Sequence, residues 1–155
     1  MFDVYGFYKF KKLTFLKKNK ILLQDFLIKK NIRGTVIIAS EGINATISGK
    51  ASDLKSTITK IKKILDFKKF DSENTSKSKF QPFHKPKVKI KKEVVPMGIS
   101  LSSKNKKENH VDPKKWNKLI SDKKTLVLDS RKPFEYSVGT FKRSVNPDVD
   151  NFREF

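Results

Sequence analysis

An acid and a base, Asp129 and Arg131, follow the apolar run Thr125-Leu126-Val127-Leu128 and precede Pro133-Phe134-Glu135-Tyr136. This layout reads as a buried strand delivering charged side chains to its C-terminal end, where open α/β sheets place their sites. The same two residues could be a plain structural ion pair, since such pairs perturb ionisation without catalysing anything. A second constellation is Glu41, Gly42 and Asn44. It can contact a substrate, or only turn the chain, with glycine supplying positive φ and asparagine tolerating a left-handed conformation. A third is His84, which could stack on a base or be only a loop histidine before Pro86, with Lys87, Lys89 and Lys91, which could meet phosphates or simply keep a strand edge from pairing. His110 has no cysteine, histidine or acidic cluster at ligand spacing, so no metal site is expected. No cofactor motif is evident, and the chain has no cysteine.

Charge is the strongest compositional signal. The 155 residues carry a formal net charge of +20, and residues 1–92 hold 23 basic against 7 acidic side chains. A field of that sign attracts polyanions, nucleic acid foremost. Lysine outnumbers arginine 32 to 4, alongside many residues with A/T-rich codons, so compositional drift can supply part of the excess. Arginine, preferred for bidentate phosphate and base contacts, is scarce. There is no apolar run long enough for a membrane span. The start, Met1-Phe2-Asp3-Val4-Tyr5-Gly6, lacks the layout of a secretory signal, which makes a cytoplasmic protein the default.

These residues need elements to hold them. Tyr5–Phe10 is aromatic and β-prone; Leu16, Leu23, Phe26 and Leu27 recur at helical spacing, ending near Asn31 and Gly34. Gly34–Ala39 is a β-branched run expected of a central strand, and Ile43–Ser48 alternates after the Glu41-Gly42 turn. Leu54, Ile58, Ile61 and Leu65 form one helical stripe, capped by Ser52 or Asp53. Residues 70–84 are polar and aperiodic, and Lys87–Val95 reads as the last strand. The order β-α-β-β-α-β predicts a ferredoxin-like α+β domain over 1–95, with both helices on one face of an antiparallel sheet. Residues 96–111 read as a linker. Asp112-Pro113 starts a helix whose buried face is Trp116, Leu119 and Ile120, and the strand Thr125–Leu128 follows.

Phe7-Tyr8-Lys9-Phe10, the run Ala39-Ser40-Glu41-Gly42-Ile43-Asn44-Ala45, Trp116, Leu128-Asp129-Ser130-Arg131, Phe134-Glu135-Tyr136 and Gly139-Thr140-Phe141 carry a resemblance. In order and at similar spacing, they resemble the rhodanese-related bacterial tRNA uridine hydroxylases, formerly grouped as uncharacterised rhodanese-domain proteins. The Glu-Gly-Ile-Asn turn is its most specific element. The resemblance implies a ferredoxin-like domain that docks the anticodon arm of tRNA, then a rhodanese-like α/β domain of which residues 112–155 are the incomplete start. It also implies 5-hydroxylation of the wobble uridine with molecular oxygen as co-substrate. Asp129, Arg131 and Glu135 correspond to the opening rhodanese motif, where Arg131 and Glu135 brace the fold. Arg143 stands where that family commonly has glycine, which questions the tightness of the turn. Rhodanese chemistry needs a cysteine in a loop of N–H donors. In the family that loop lies further along than Phe155, so a fragment inactive by itself is expected.

Two other functions share this fold. A non-catalytic RNA-binding module would stack bases on aromatics of the sheet; Tyr5 and Phe7 are the expected rings, while Ile43–Ser48 offers none. Acylphosphatase-like hydrolysis would need a glycine-rich loop with arginine after the first strand, where Lys11-Lys12-Leu13 stands instead.

Overall fold

The computed structural model describes residues 1–95, 111–151 and 154–155. The chain divides into two compact units, Met1–Val95 and Pro96–Phe155. His110 and all but the last residue of the expected 96–111 linker lie outside the described residues.

Unit 1 runs β1 (Phe2–Phe10), α1 (Leu16–Lys29), β2 (Arg33–Ala39), β3 (Gly42–Gly49), α2 (Ala51–Ile64), β4 (Ser72–Ser78) and β5 (Pro86–Ile90). The five strands form one sheet in the order β4-β1-β3-β2-β5. The first four are antiparallel, the ferredoxin-like arrangement, and β5 adds on parallel to β2. The α+β ferredoxin-like fold is therefore as expected, but its fourth strand is not. Ser72–Ser78, read from sequence as aperiodic, pairs with β1; the lysine-rich strand is a fifth one at the opposite edge and ends at Ile90. The sheet is mixed rather than wholly antiparallel. β4 escapes notice because an edge strand exposed on nearly every residue needs no apolar alternation.

The core lies between the sheet and the two helices. Phe7, Val36, Ile38, Ile43, Ala45, Ile47 and Val88 point into it from the strands. Leu23 and Leu27 of α1 and Leu54 and Ile61 of α2 meet them. Each such aliphatic side chain contributes about 1.5–3 kcal/mol by leaving water. β1 carries aromatics in both phases of its alternation, and the contacts choose between them. Phe7 packs 4.2 Å from Phe70 between ring centroids, and Tyr5 lies 5.5 Å from Phe7. Tyr5 and Phe7 therefore serve the core, and the expectation that they present their rings to RNA is overturned.

Neither helix begins on a side-chain cap. α2 starts after Lys50, and Asp53 sits within its first turn, so the expected capping by Ser52 or Asp53 does not occur. α1 stops where Asn31 enters the left-handed region at φ 49° and its N–H donates to the Ile28 carbonyl at 3.0 Å. The outer edge of β5 is closed by α1: Gln24 accepts from the Val88 N–H at 2.9 Å and donates to the Pro86 carbonyl at 3.3 Å.

Unit 2 contains α3 (Pro113–Ser121), β6 (Val127–Leu128), α4 (Pro133–Val138) and β7 (Ser144–Val145), with β6 and β7 parallel. The Asp112 side chain caps α3 as expected, accepting from the Lys115 N–H at 3.0 Å, with Pro113 at the first helical position. Two other expectations fail. No α3 residue is buried, and the run 125–128 shrinks to the two-residue strand Val127–Leu128, in which Val127 is buried but Leu128 is 48% exposed, with Leu126 just before it 73% exposed. A parallel strand is buried only when neighbours and covering layers flank it, and among the described residues only β7 does.

Two outcomes test this description. Gly42 sits at φ +154°, and a Cβ there would stand 2.1 Å from the Lys9 carbonyl oxygen; Gly42→Ala should cost about 1–3 kcal/mol in a urea melt. The Tyr5 hydroxyl, pushed up to about 12 by burial and then by its hydrogen bond to Glu73, should give a tyrosinate absorbance transition near pH 12 that Tyr5→Phe removes. Because the folded state holds this proton more tightly, its stabilising contribution is whole below pH 10 and declines towards pH 12.

Candidate functional site

Alternation along paired strands sends the residues between the core positions to the other face of the sheet. On β1 these are Val4, Gly6, Tyr8 and Phe10, and on β3 Asn44, Thr46 and Ser48. β2 adds Arg33, Thr35 and Ile37, and β5 adds Lys87 and Lys89. Two cross-strand rows result from the register: Ser72, Tyr8, Asn44, Ile37 and Lys89 in one, and Asn74, Gly6, Thr46, Thr35 and Lys87 in the next. Both lysines are exposed.

The sequence-selected residues of unit 1 thus separate into two groups. Asn44, Lys87 and Lys89 share one face. Glu41 is committed elsewhere: its carboxylate accepts from the Val94 N–H at 2.6 Å, while its carbonyl accepts from the Lys11 N–H at 2.9 Å. Gly42 makes the close approach to Lys9 described above. His84 is exposed in the loop joining β4 to β5, and Lys91 follows β5, its N–H donating to the Ile38 carbonyl at 3.0 Å. Sequence reasoning missed Tyr8 and Phe10, whose rings meet edge to face at 5.8 Å on the open face. The signal was present in their alternation phase, opposite to Phe7, but β1 alone does not say which phase faces the helices.

In unit 2, Asp129 and Arg131 form a two-point pair, Nε to Oδ1 at 2.9 Å and Nη2 to Oδ2 at 2.6 Å. The pair is not isolated. Thr140 Oγ1 donates to the same carboxylate at 2.8 Å, and Arg131 Nη2 also reaches the Gly139 carbonyl at 2.7 Å. Asn146 Nδ2 bridges the Asp129 and Arg131 carbonyls at 2.8 and 2.7 Å. Together they tie the 139–146 segment to the end of β6. The Arg131 guanidinium, then Thr140, hold the Asp129 carboxyl well below the usual carboxylate range. Glu135 lies in the first turn of α4, its carboxylate facing the Lys132 N–H at 3.4 Å. Arg143 keeps the turn a glycine would make, at φ 66°, and its guanidinium donates to the Ile120 and Asp122 carbonyls at the end of α3. Bonds of this kind offset the cost of the left-handed conformation. Trp116 meets Phe141 edge to face at 5.3 Å, and its buried Nε1–H meets no acceptor among the described residues.

Among the described residues no group of three or more His, Cys, Asp or Glu could hold a metal ion, and no helix is long and apolar enough to cross a membrane.

A family model described as the UPF0176 acylphosphatase-like domain matches residues 2–94, the whole of the five-stranded unit. The chain belongs to that family. The UPF0176 chain is also 90% identical, over all 155 of its residues, to a protein of Pelagibacter ubique (strain HTCC1062) named tRNA uridine(34) hydroxylase, and spans 52% of that relative's length. Among solved structures it is similar to an acylphosphatase from Bacillus subtilis, at 14% identity and a TM-score of 0.42, covering 57% of this chain and 98% of the other. An acylphosphatase from Coxiella burnetii gives 8% identity and 0.41, covering 56% and 90%.

The Asp129 arrangement makes its own prediction. Thr140→Val should raise the Asp129 carboxyl part of the way to its ordinary value, and Arg131→Gln further, in a carboxyl ¹³C NMR titration. In the parent chain the depressed carboxyl contributes stability that is complete above about pH 4 and is lost only as pH falls through its folded value.

Proposed function

We propose that the chain takes part in tRNA modification, in the hydroxylation of uridine 34 to 5-hydroxyuridine with molecular oxygen as co-substrate. The carrying observation is the 90% identity along its full length to a protein named for that activity. In this reading unit 1 docks the anticodon arm, and residues 112–155 open a rhodanese-like domain in which Asp129, Arg131 and Glu135 brace the turns around β6. The work is cytoplasmic, where tRNA is. The 155 residues contain no cysteine, so a thiolate or persulfide step would draw on polypeptide outside them, and the chain by itself binds tRNA without hydroxylating it. The charge of unit 1 supports docking: lysines far outnumber carboxylates there, and neutralising phosphates releases counterions.

Two measurements test the reading. Affinity for an anticodon stem-loop should fall with log–log slope of roughly −0.7 to −0.9 for each phosphate contacted as salt is raised; a flat response between low and moderate salt would overturn docking. Disrupting the coding region in its own cell should remove 5-hydroxyuridine from hydrolysed tRNA, as read by mass spectrometry, and unchanged tRNA would overturn the modification role.

A further inference from the structure

We infer that the helix-free face of the unit 1 sheet receives unpaired nucleotides, with Tyr8 as the stacking platform and Lys87 and Lys89 as phosphate contacts. The inference rests on the tRNA-docking reading and assigns it a surface. Three observations carry it. First, the open-face positions of the five strands carry no acidic side chain. The acidic strand residues Asp3 and Glu73 fall in the opposite phase, and Glu73 is bonded to Tyr5 there. Second, Tyr8 is half-buried with its ring set against Phe10 at 64°, so its position is held by a neighbour while part of its surface stays exposed. A ring held this way loses little freedom when a base stacks on it, and stacking accepts any base. Third, the register aligns Tyr8, Asn44, Ile37 and Lys89 in one row across four adjacent strands. At strand spacing this is about 14 Å from ring to ammonium stem, with the Asn44 amide between to meet a base edge and Thr46, Thr35 and Lys87 in the row beside it.

The face suits unpaired RNA better than duplex. A duplex buries its base faces and is held mainly through phosphates and 2′-hydroxyls, which an aromatic platform does not serve. A competing basic surface is an open depression of about 550 Å³ lined by Lys11, Lys62, Lys63, Asp66, Phe67 and Lys68. It includes a carboxylate, already paired to Lys11 at 3.0 Å, and lies at the C-terminal end of α2, where the helix dipole disfavours anions.

Anisotropy titrations of the 155-residue chain with a labelled anticodon stem-loop, and with a fully paired hairpin as comparison, decide the matter. Tyr8→Ala should weaken stem-loop binding about tenfold without altering the salt slope, whereas Tyr8→Phe should bind as the parent does. Lys87→Ser with Lys89→Ser should reduce the slope by about two contacts, and Lys63→Ser with Lys68→Ser should not. Thermal melts of each variant separate lost binding from lost folding, and the conservative Tyr8→Phe keeps the test independent of them. Parent-like binding by folded Tyr8→Ala, or loss in the Lys63/Lys68 variant alone, would overturn the surface while leaving tRNA docking intact. A parent chain that binds neither RNA would remove both.

Discussion

The pairing of β1 with β3 decides what every other residue of unit 1 can do. Phe7 stands opposite Ala45, and Tyr5 opposite Ile47, on the side the helices cover. Tyr8 opposite Asn44 is thereby sent to the other side. A slip of one residue would exchange the two sets, placing Tyr8 and Phe10 in the core and Phe7 in water. The slip is opposed from several directions. Phe70 fills the space against Phe7, Gly42 admits the Lys9 carbonyl where no Cβ could fit, and Asn74 lies over Gly6. The polar composition of the open face therefore follows from constraints that act on the buried one.

Much of this was legible in the residues and some was not. The helical stripes of Leu23 and Leu27, and of Leu54 and Ile61, declare themselves because burial demands a 3.6-residue period. β2 is equally plain, a β-branched run in the middle of a sheet. β4 is silent for a physical reason: an outermost strand gains its place from backbone pairing, so Ser, Asn and Thr serve as well as anything. The phase of β1 was undecidable for a different reason, since both phases are aromatic and the arbiter, Phe70, lies 63 residues away from Phe7 in the chain. At the candidate site, Asn44, Lys87 and Lys89 could be named but not brought together, because their common face depends on β5 joining β2 rather than β1.

Unit 2 teaches a different lesson about charged pairs. Asp129 and Arg131 read, from spacing alone, either as reagents at a strand end or as a plain structural ion pair. The geometry shows the carboxylate bonded by Arg131 and Thr140, and the guanidinium shared with the Gly139 carbonyl. Their immediate effect is mechanical, fixing how the chain returns after α4. Arg143 acts in the same spirit, satisfying carbonyls that α3 leaves open.

The amide of Gln24 has a consequence for how this molecule behaves at high concentration. By occupying the outward N–H of Val88 and the outward carbonyl of Pro86, it takes up a donor and an acceptor in the middle of that margin. The far margin, β4, is exposed on nearly every residue, with Glu73 and Lys77 among its serines, asparagine and threonine. Strand-to-strand pairing with a second molecule is thus less hindered along β4 than at the middle of β5.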